Sequence, residues 1–440
     1  MTSSRDTIFA LSSGRPPAAI AVIRISGPRA GAALEALTGR IPPARKGVLG
    51  RIRETPGGEM IDEALVLWFP GPNSETGEDV AELQLHGGPA VIAATLRVLG
   101  AMDGLRLAEG GEFTRRGFEN GKLDLTAVEG LGDLIAAETD AQRRQAFQQM
   151  KGLLGDRAET WRRRLVEALA LVEARIDFSD EADVPEDLLG PALTIVQGLR
   201  DEIAAALADG RRGERLRDGL MVAVTGPPNA GKSTLLNRLA RRDVAIVSPV
   251  PGTTRDVIEV HLDLNGYPVT LLDTAGIRES ADPVEQEGIR RARQRAEAAD
   301  LILWLSDSGE EPPFGSSTPI LKLRTKVDLL DENADQNSFN ENKFAISSKS
   351  DINIHLLMER LAAFAASSLQ GQTPALVTRE RHRGLLQATL AGLTEALAHT
   401  EHELVAESLR RAADALGRLT GRIDVEDVLD VIFRDFCIGK

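Results

Sequence analysis

A glycine-rich octapeptide at residues 226–233, with the sequence GPPNAGKS, constrains the fold of this chain more than any other feature. It fits the pattern G-x-x-x-x-G-K-[ST], in which backbone N–H groups surround a phosphate. The apolar run at residues 220–225 predicts a buried strand before it, and residues 234–240 predict a helix after it. This context favours a phosphate-binding loop over an ordinary glycine turn. Lys232 would reach the β- and γ-phosphates of a nucleotide, and Ser233 would bind Mg²⁺.

The composition argues against several classes of protein. The chain has 440 residues, enough for roughly three domains, and its net charge of −14 argues against a broadly basic surface that coats nucleic acid. Its one cysteine, Cys437, excludes an internal disulfide and argues against a cysteine-based zinc site. The sequence has no signal-peptide pattern and no apolar run of the length that a membrane span needs. We therefore expect a cytoplasmic protein without a membrane span.

The first 120 residues predict a mixed α/β domain. Three apolar stretches, at residues 19–26, 63–69 and 79–85, predict strands, and residues 89–102 predict a helix. Polar residues interrupt or follow these strands, namely Arg24, Glu82 and His86. Taken alone, such residues are typical of surface or edge-strand side chains.

Helical periodicity marks two stretches, residues 121–215 and 371–440, on either side of a predicted nucleotide-binding domain at residues 216–370. Short linkers at residues 209–213 and 367–374 favour one helical domain into which the nucleotide-binding domain is inserted. Two independent helical bundles are the alternative. Before the insertion, the apolar spacing predicts helices at residues 123–153, 161–176 and 188–207.

Two further phosphate motifs follow the glycine loop. In residues 250–256, VPGTTRD, a threonine can place its hydroxyl on Mg²⁺ and its backbone on the γ-phosphate. Residues 257–272 predict a hairpin around an Asn-Gly turn. The hairpin runs into the sequence DTAG, where Asp273 can hold Mg²⁺ through water and the Gly276 amide can sense the γ-phosphate.

The base-binding motifs indicate guanine. Buried strands are predicted at residues 301–305 and 320–323. The second strand leads into TKVD, where Asp328 can accept hydrogen bonds from both the ring N–H and the exocyclic amine of guanine, a pair of donors that adenine does not offer. The usual motif begins with Asn, and Thr325 makes fewer hydrogen bonds, so we expect a modest nucleotide affinity. Residues 346–349, ISSK, predict a second base-contacting loop.

The order and spacing of these five motifs resemble the translation-factor-like GTPases of the P-loop class, and together they are far more specific than the glycine loop alone. The predicted Mg²⁺ ligands are Ser233 and Thr254. The whole nucleotide site is predicted to consist of Asn229, Ala230, Gly231, Lys232, Ser233, Thr234, Ser248, Pro249, Val250, Pro251, Gly252, Thr253, Thr254, Asp273, Thr274, Ala275, Gly276, Thr325, Lys326, Asp328, Ser347, Ser348 and Lys349.

One catalytic part of a Ras-like site is missing. Ras-like enzymes orient the attacking water with a glutamine just after the D-x-x-G motif, and Ile277 stands at that position. Hydrolysis then needs a group from elsewhere. The candidates that the sequence leaves open are Glu279, Glu285 and Glu287. A metal cation could supply the charge stabilisation that an arginine finger gives in other GTPases.

The chain ends in CIGK at residues 437–440. A lone cysteine near a C-terminus is usually incidental, and this one does not form a lipidation box. Asp424 can cap the last helix, which would place Cys437 on a tethered tail. A thiol there could act as a nucleophile if its pKa is lowered.

Stretches outside the nucleotide motifs carry a more specific resemblance, and they span nearly the whole chain. They are RISG at residues 24–27, FPGPNS at 69–74, TGED at 76–79, HGGP at 86–89, GEF at 111–113, KLDL at 122–125, DF at 177–178 and the terminal CIGK. With the nucleotide motifs, they make the chain similar to the MnmE (TrmE) family of bacterial and organellar tRNA-modification GTPases.

The resemblance implies an N-terminal α/β domain that binds folate and forms a homodimer, a helical domain, and an inserted Ras-like GTPase domain that hydrolyses GTP. The family works with a FAD-dependent partner of the MnmG (GidA) type, in a heterotetramer or larger complex. Together they add an aminomethyl or carboxymethylaminomethyl group to C5 of the wobble uridine of certain tRNAs. The one-carbon unit comes from 5-formyl- or 5,10-methylene-tetrahydrofolate, and the amine, ammonia or glycine, stays open.

The resemblance also implies roles for particular residues. The folate contacts would be Arg24, Glu82, Lys122 and Lys440. A K⁺ ion that replaces the arginine finger would be bound by Asn229, Ser248, Val250 and Thr253. The family more often has Thr where Ser248 stands. Glu285 would orient the water, Lys232 would act on the phosphates, and Cys437 would act either covalently on the uridine or in a structural or partner contact.

Two other functions compete with this interpretation. A ribosome-assembly-type regulatory GTPase shares the nucleotide motifs but usually carries a basic RNA-binding domain, and no stretch of this sequence resembles one. A structural scaffold with vestigial nucleotide binding would not need the intact Lys232, Ser233, Thr254 and Asp273.

Overall fold

The structure of the chain is a computed structural model that describes residues 6–177, 188–209, 211–242, 244–246, 259–273, 299–312, 318–329, 343–371 and 373–423, and residues 429, 432, 433, 436 and 439. Through their contacts the residues form two compact units. The first contains Met1–Gly132, Gly155–Val166 and Ala413–Lys440, and the second contains Asp133–Leu154 and Glu167–Ala412. The domain boundaries proposed after residues 120, 215 and 370 stay predictions.

A six-stranded sheet lies at the centre of the first unit. Its strands are β1 (Thr7–Leu11), β2 (Ile20–Ser26), β3 (Val48–Arg53), β4 (Met60–Phe69), β5 (Val80–His86) and β6 (Leu105–Leu107). They lie in the order β3-β4-β5-β2-β1-β6, with β1 and β6 parallel and the other neighbours antiparallel. Three helices accompany the sheet, namely α1 (Ala30–Thr38), α2 (Pro89–Gly100) and α3 (Glu112–Glu119).

Along β2 and β5, alternate side chains point into the core and to the opposite face of the sheet. Ile23, Ile25 and Leu83 are buried in one cluster with residues of α1 and α2. Because successive residues of a strand point to opposite faces, Arg24 and Glu82 lie on the other face of the sheet. The register of β2 against β5 pairs these two residues directly.

Five helices follow in the chain, namely α4 (Leu125–Ala136), α5 (Asp140–Met150), α6 (Gly155–Asp177), α7 (Leu189–Leu207) and α8 (Arg212–Asp218). The helical stretch predicted at residues 123–153 consists of two helices in the structure, α4 and α5. Thr139 and Gln142 form a capping box that begins α5. The prediction of a plain linker at residues 209–213 also missed α8, which begins inside it.

The second unit contains the nucleotide-binding sheet. Its strands are β7 (Leu220–Thr225), β8 (Glu259–Leu264), β9 (Tyr267–Asp273), β10 (Leu301–Ser306), β11 (Ile320–Arg324) and β12 (Lys343–Ala345). They lie in the order β12-β11-β10-β7-β9-β8, and every pair is parallel except β8 with β9. The predicted β8–β9 hairpin is confirmed, with φ of 55° at Asn265 and 87° at Gly266 in its turn.

This strand order places the glycine loop at a point where the chain reverses direction across the sheet. After β7 the chain adds β9 on one side, and it then returns to add β10 on the other side. In open parallel sheets, ligands bind outside the carboxyl ends of the strands at such a point. The described residues of this part of the unit also form α9 (Lys232–Leu239) and α10 (Ile354–Leu369).

Helices from both sides of the nucleotide sheet pack together. α11 (Glu380–Ala398) and α12 (His402–Thr420) follow the sheet in the chain. α7, which precedes the sheet, packs against α11. The prediction that the nucleotide domain is inserted into a helical domain is therefore confirmed, and independent bundles are excluded. Among the described residues, none of the helices combines the length and the apolar character that crossing a bilayer requires.

Candidate functional site: a phosphate loop at the end of a parallel sheet

The glycine loop has a backbone that other residues could not adopt. Gly226 has φ of 145°, and a Cβ there would lie 2.1 Å from the carbonyl oxygen of Leu305 on the neighbouring strand β10. Gly231 has φ of 94° and forms the N-cap of α9 without a side-chain cap. The first N–H groups of α9 therefore remain available for an anion, where the helix dipole favours negative charge.

Lys232 is held above the loop by the loop's own backbone. Its Nζ donates to the carbonyl oxygens of Gly226 at 2.7 Å and Pro227 at 2.8 Å. Burial lowers the pKa of this ammonium, and the nearby Asp273 carboxylate opposes that effect. Only 9% of Lys232 is exposed. A phosphate group entering the loop would meet a partly desolvated cation, whose attraction is stronger than that of a lysine in water.

Ser233 and Asp273 converge beside Lys232. The Ser233 hydroxyl donates to Oδ2 of Asp273 at 3.3 Å. Asp273 is the last residue of β9 and pairs in register with Val224 of β7, and it is 5% exposed. The position of Asp273 follows from parallel pairing, because the carboxyl ends of neighbouring parallel strands meet at one edge. Hydroxyl and carboxylate oxygens are the ligands that Mg²⁺ takes, so the two residues fit an Mg²⁺ ion.

Thr325 stands where the usual base-binding motif has Asn, and it connects the base-binding segment to the phosphate loop. Its hydroxyl donates to the carbonyl oxygen of Ala230 in the glycine loop at 2.7 Å. Both residues are buried. The threonine therefore links the base-binding segment to the phosphate loop. The sequence predicted that Thr325 would make a weaker contact with the nucleotide than Asn does. In the structure its hydroxyl hydrogen instead binds a carbonyl of the protein.

The base-binding segments lie together beyond this link. Asp328 lies on a short 3₁₀ turn, Val327–Leu329, and is half-buried. The N–H of Ile346, just before Ser347, donates to the Arg324 carbonyl at 2.8 Å, which joins the two segments. Lys326 has φ of 57° and donates to Asp307 at 2.7 Å. The predicted residues Ser347, Ser348 and Lys349 range from buried to exposed in that order.

Several predicted site residues lie outside the described residues. Within the described loop and α9, Asn229 and Thr234 are exposed and Ala230 is buried. Outside them lie Ser248, Pro249, Val250, Pro251, Gly252, Thr253, Thr254, Thr274, Ala275, Gly276, Glu285, Cys437 and Lys440.

A second polar cluster lies on the outer face of the N-terminal sheet. Arg24 donates to Glu82 through Nε at 3.0 Å, and a second guanidinium nitrogen contacts the same carboxylate oxygen at 2.9 Å. The third nitrogen contacts Glu75 at 2.8 Å. The Arg24 guanidinium also lies over the ring of Phe113, 5.7 Å from its centroid. The cluster therefore combines a fixed carboxylate with an aromatic face.

Lys122, the third predicted folate contact, lies near the same loop as Glu75. Its side chain is exposed, and its Cε lies 3.3 Å from the point that a Cβ on Gly77 would occupy. Sequence reasoning missed Glu75 and Phe113 as members of this cluster. The signal was present, since Phe113 lies in the matched stretch GEF and Glu75 lies between two matched stretches.

Comparison with protein families decides between the remaining interpretations. A family model described as the MnmE helical domain matches residues 125–437, and one described as the N-terminus of the GTP-binding protein TrmE matches residues 7–122. The chain belongs to the MnmE family. The match of the helical-domain family model begins before the nucleotide-binding strands and ends after them. This agrees with a helical domain into which the nucleotide-binding domain is inserted.

Curated members of the MnmE family are similar over their whole length. The tRNA modification GTPase MnmE of a Bradyrhizobium species is 58% identical over 441 residues, which cover 99% of this chain and 99% of its own. The protein of the same name from Rhodopseudomonas palustris is 56% identical over 442 residues, covering both chains completely. Among solved structures, Era from Aquifex aeolicus bound to GDP·AlF₄⁻ covers 41% of this chain and 68% of its own, with 24% identity and a TM-score of 0.26, too low to bear on function.

Proposed function

We propose that this chain binds and hydrolyses GTP, and that hydrolysis serves the modification of tRNA. One observation carries the proposal: Lys232, Ser233 and Asp273 converge on a glycine loop at the carboxyl ends of neighbouring parallel strands. The names of the curated relatives, tRNA modification GTPase MnmE, support the tRNA part.

The residues of the loop would act by position and charge. The free N–H groups of the loop and of α9 bind phosphate oxygens, and Lys232 exchanges its two backbone carbonyl acceptors for the β- and γ-phosphates. An Mg²⁺ ion at Ser233 and Asp273 would neutralise charge on those phosphates. Asp328 would select guanine, and Thr325 would keep the base segment and the phosphate loop at a fixed separation.

Two catalytic roles rest on the resemblance to the family alone. Glu285 would orient the attacking water, and it lies outside the described residues. Asn229 is exposed with φ of 63°, so a K⁺ ion could reach its side chain. The other proposed K⁺ ligands, and the second Mg²⁺ ligand Thr254, also lie outside the described residues.

For the N-terminal cluster we propose a one-carbon tetrahydrofolate as ligand. Glu82 suits the donor edge of a pterin, because Arg24 fixes the position of its carboxylate. By their charge, Arg24 and Lys122 would suit the glutamate carboxylate of folate. All three nitrogens of Arg24 already face Glu82 or Glu75, so that carboxylate would have to displace Glu75 or bind the exposed Lys122 instead.

The complete reaction is the addition of an aminomethyl-type group to C5 of the wobble uridine. The proposed assembly is a homodimer joined to a FAD-dependent partner of the MnmG type, with tRNA as substrate. The folate supplies the added carbon. Cys437 keeps its two proposed roles, in covalent addition to the uridine or in a structural or partner contact. A Cys437→Ser chain that sustains full modification in cells would exclude the first role.

The test combines cells and purified protein. Nucleoside analysis of tRNA from cells that lack this chain should reveal an unmodified wobble uridine, restored by the wild-type gene and not by Lys232→Ala. The purified chain should release phosphate from GTP and not from ATP. Normal wobble nucleosides together with a defect in ribosomal subunit profiles would instead support a ribosome-assembly GTPase.

A further inference from the structure

The nucleotide sheet is joined to the helices by two chain segments that touch each other. We call residues 211–218, which contain α8, the incoming segment, and residues 373–379 the outgoing segment. A Cβ on Gly213 would lie 2.1 Å from the carbonyl oxygen of Val377. The two backbones are therefore in direct contact, and only glycine fits at this point.

Helix α5 binds the backbone of both segments. Gln145 Nε2 donates to the carbonyl oxygen of Gly213 in the incoming segment at 2.9 Å. Gln149 Nε2 donates to the carbonyl oxygen of Leu376 in the outgoing segment at 2.8 Å. The two glutamines are four residues apart, so they lie on one face of α5, one turn from each other. The pitch of α5 thereby fixes the spacing between the two segments.

The first turn of α5 reaches the nucleotide sheet itself. The N–H of Ala141 donates to the carbonyl oxygen of Gly266, in the turn between β8 and β9, at 3.1 Å. Gln142, which caps α5, also donates to the carbonyl oxygen of Arg217 at 2.9 Å. Since β9 ends in Asp273, α5 connects the strand that carries the proposed Mg²⁺ carboxylate to the incoming segment.

A half-buried carboxylate adds a second bridge between the two segments. Oδ1 of Asp133, at the end of α4, accepts from Nε of Arg217 in the incoming segment at 2.9 Å. The same oxygen accepts from Arg379 in the outgoing segment at 2.6 Å. Asp133 is the first residue of the second unit, so this bridge and α5 belong to one compact unit.

We propose that the α5 glutamines are positioning residues that couple the nucleotide site to the helices. A displacement of the β8–β9 hairpin on exchange of GDP for GTP would move α5, and α5 would move both segments together through Gln145 and Gln149. The proposal rests on the proposed GTPase function. The glutamine amides bind backbone carbonyl oxygens. They would therefore move with the backbone of each segment, whatever side chains the segment has.

Stability alone does not account for Gln149. Its side chain is 1% exposed, and within the described part of the chain its Oε1 accepts no hydrogen bond. A buried acceptor without a partner destabilises a fold, and an apolar side chain of similar size would avoid that cost. The amide donor toward the outgoing segment is the property that a methionine could not supply.

The test uses hydrogen–deuterium exchange of the full-length chain with GDP or a non-hydrolysable GTP analogue. In the wild type, amides of both segments and of the glycine loop should exchange at different rates in the two nucleotide states, by about fivefold or more for a coupling of ordinary size. In the double variant Gln145→Met, Gln149→Met, the glycine loop should keep its difference, and the ratio in both segments should fall toward unity. Gln148→Met is the matched control, because Gln148 is on the same helix and exposed.

Each outcome decides the proposal. It is overturned if the double variant keeps the segment difference, or if the wild type has none while its glycine loop does. It is also overturned if the variant loses the difference in the glycine loop as well and unfolds at a much lower temperature, since the glutamines are then only structural. Phosphate release by the wild type is measured separately, so a chain that binds nucleotide without hydrolysing it would refute the proposed function and leave the coupling result standing.

Discussion

Removing the Thr325 hydroxyl should weaken nucleotide binding more than it weakens the fold. In Thr325→Val the shape of the side chain is kept, so no cavity forms. The Ala230 carbonyl, which is buried, loses the donor that lies 2.7 Å away. A buried polar group left without its partner costs about 1–3 kcal/mol. This free energy destabilises the glycine loop in particular, because the loop contains Ala230.

This magnitude converts directly into affinity. If the loop relieves the unpaired carbonyl by leaving its binding conformation, a loss of about 1.4 kcal/mol lowers GTP affinity about tenfold. We therefore expect a dissociation constant about 5–150 times that of the wild type, measured by titration with a fluorescent GTP analogue. The unfolding midpoint should fall by only about 2–4 °C for each kcal/mol that remains in the folded state.

Thr325→Ser is the matched control. It keeps the hydroxyl and removes only the methyl group, so it should bind GTP nearly as well as the wild type while losing about 1 kcal/mol of stability from the smaller buried area. If Thr325→Val binds GTP as tightly as the wild type, the link between Thr325 and Ala230 does not support the loop. Weak binding by both variants would point to packing and would equally refute the role of the hydrogen bond.

Three other variants probe separate parts of the molecule. Lys232→Ala should lower GTP turnover about a hundredfold or more in a phosphate-release assay without changing the unfolding midpoint, because it removes a charge aimed at the phosphates. Gly226→Ala should abolish GTP binding in calorimetry, since its Cβ would lie 2.1 Å from the Leu305 oxygen, and a normal isotherm would contradict the strained loop. Burial raises the pKa of Glu112, but hydrogen bonds from Arg106, the Glu109 backbone and Arg116 outweigh it and lower that pKa. The resulting stability is complete above the ordinary value of 4.5 and is lost as the pH falls through the lowered pKa, so Glu112→Gln should flatten the acid dependence of the unfolding midpoint.

The backbone of the glycine loop and of the β8–β9 turn could be predicted from the sequence because its geometry is local. The positive φ values of Gly226 and Gly231 and the turn at Asn265 and Gly266 are properties of short stretches. The position of Asp273 beside Ser233 follows from one further step, the parallel pairing of β7 with β9. The sequence did not predict the hydrogen bond from the Thr325 hydroxyl to the Ala230 carbonyl. Its acceptor in the glycine loop is 95 residues away in the chain.

The N-terminal sheet was predicted less completely, because its pairing is long-range. Sequence reasoning missed β1, α1, β3, β6 and α3. β3 is an edge strand whose side chains alternate only weakly in burial, and its Gly50 lowers strand propensity. β1 is five residues long and gains its partners from β2 and β6, and β6 lies almost 100 residues further along the chain. Neither strand carries a pattern that a short window can detect.

The partners of Arg24 follow from how strands β2 and β5 pair, and its residue type alone does not predict them. Its place opposite Glu82 depends on the register of β2 against β5, and a slip of one residue would send Glu82 to the core face. Its contact with Glu75 depends on the loop that precedes β5. The family resemblance named Arg24 as a folate contact, which stays a prediction. A free guanidinium that binds a ligand carboxylate differs from a guanidinium that two protein carboxylates already share, and the structure has the second arrangement. This arrangement fixes the position of the Glu82 carboxylate for a hydrogen-bond donor, so we expect recognition of the proposed folate at the N-terminal sheet to depend on Glu82.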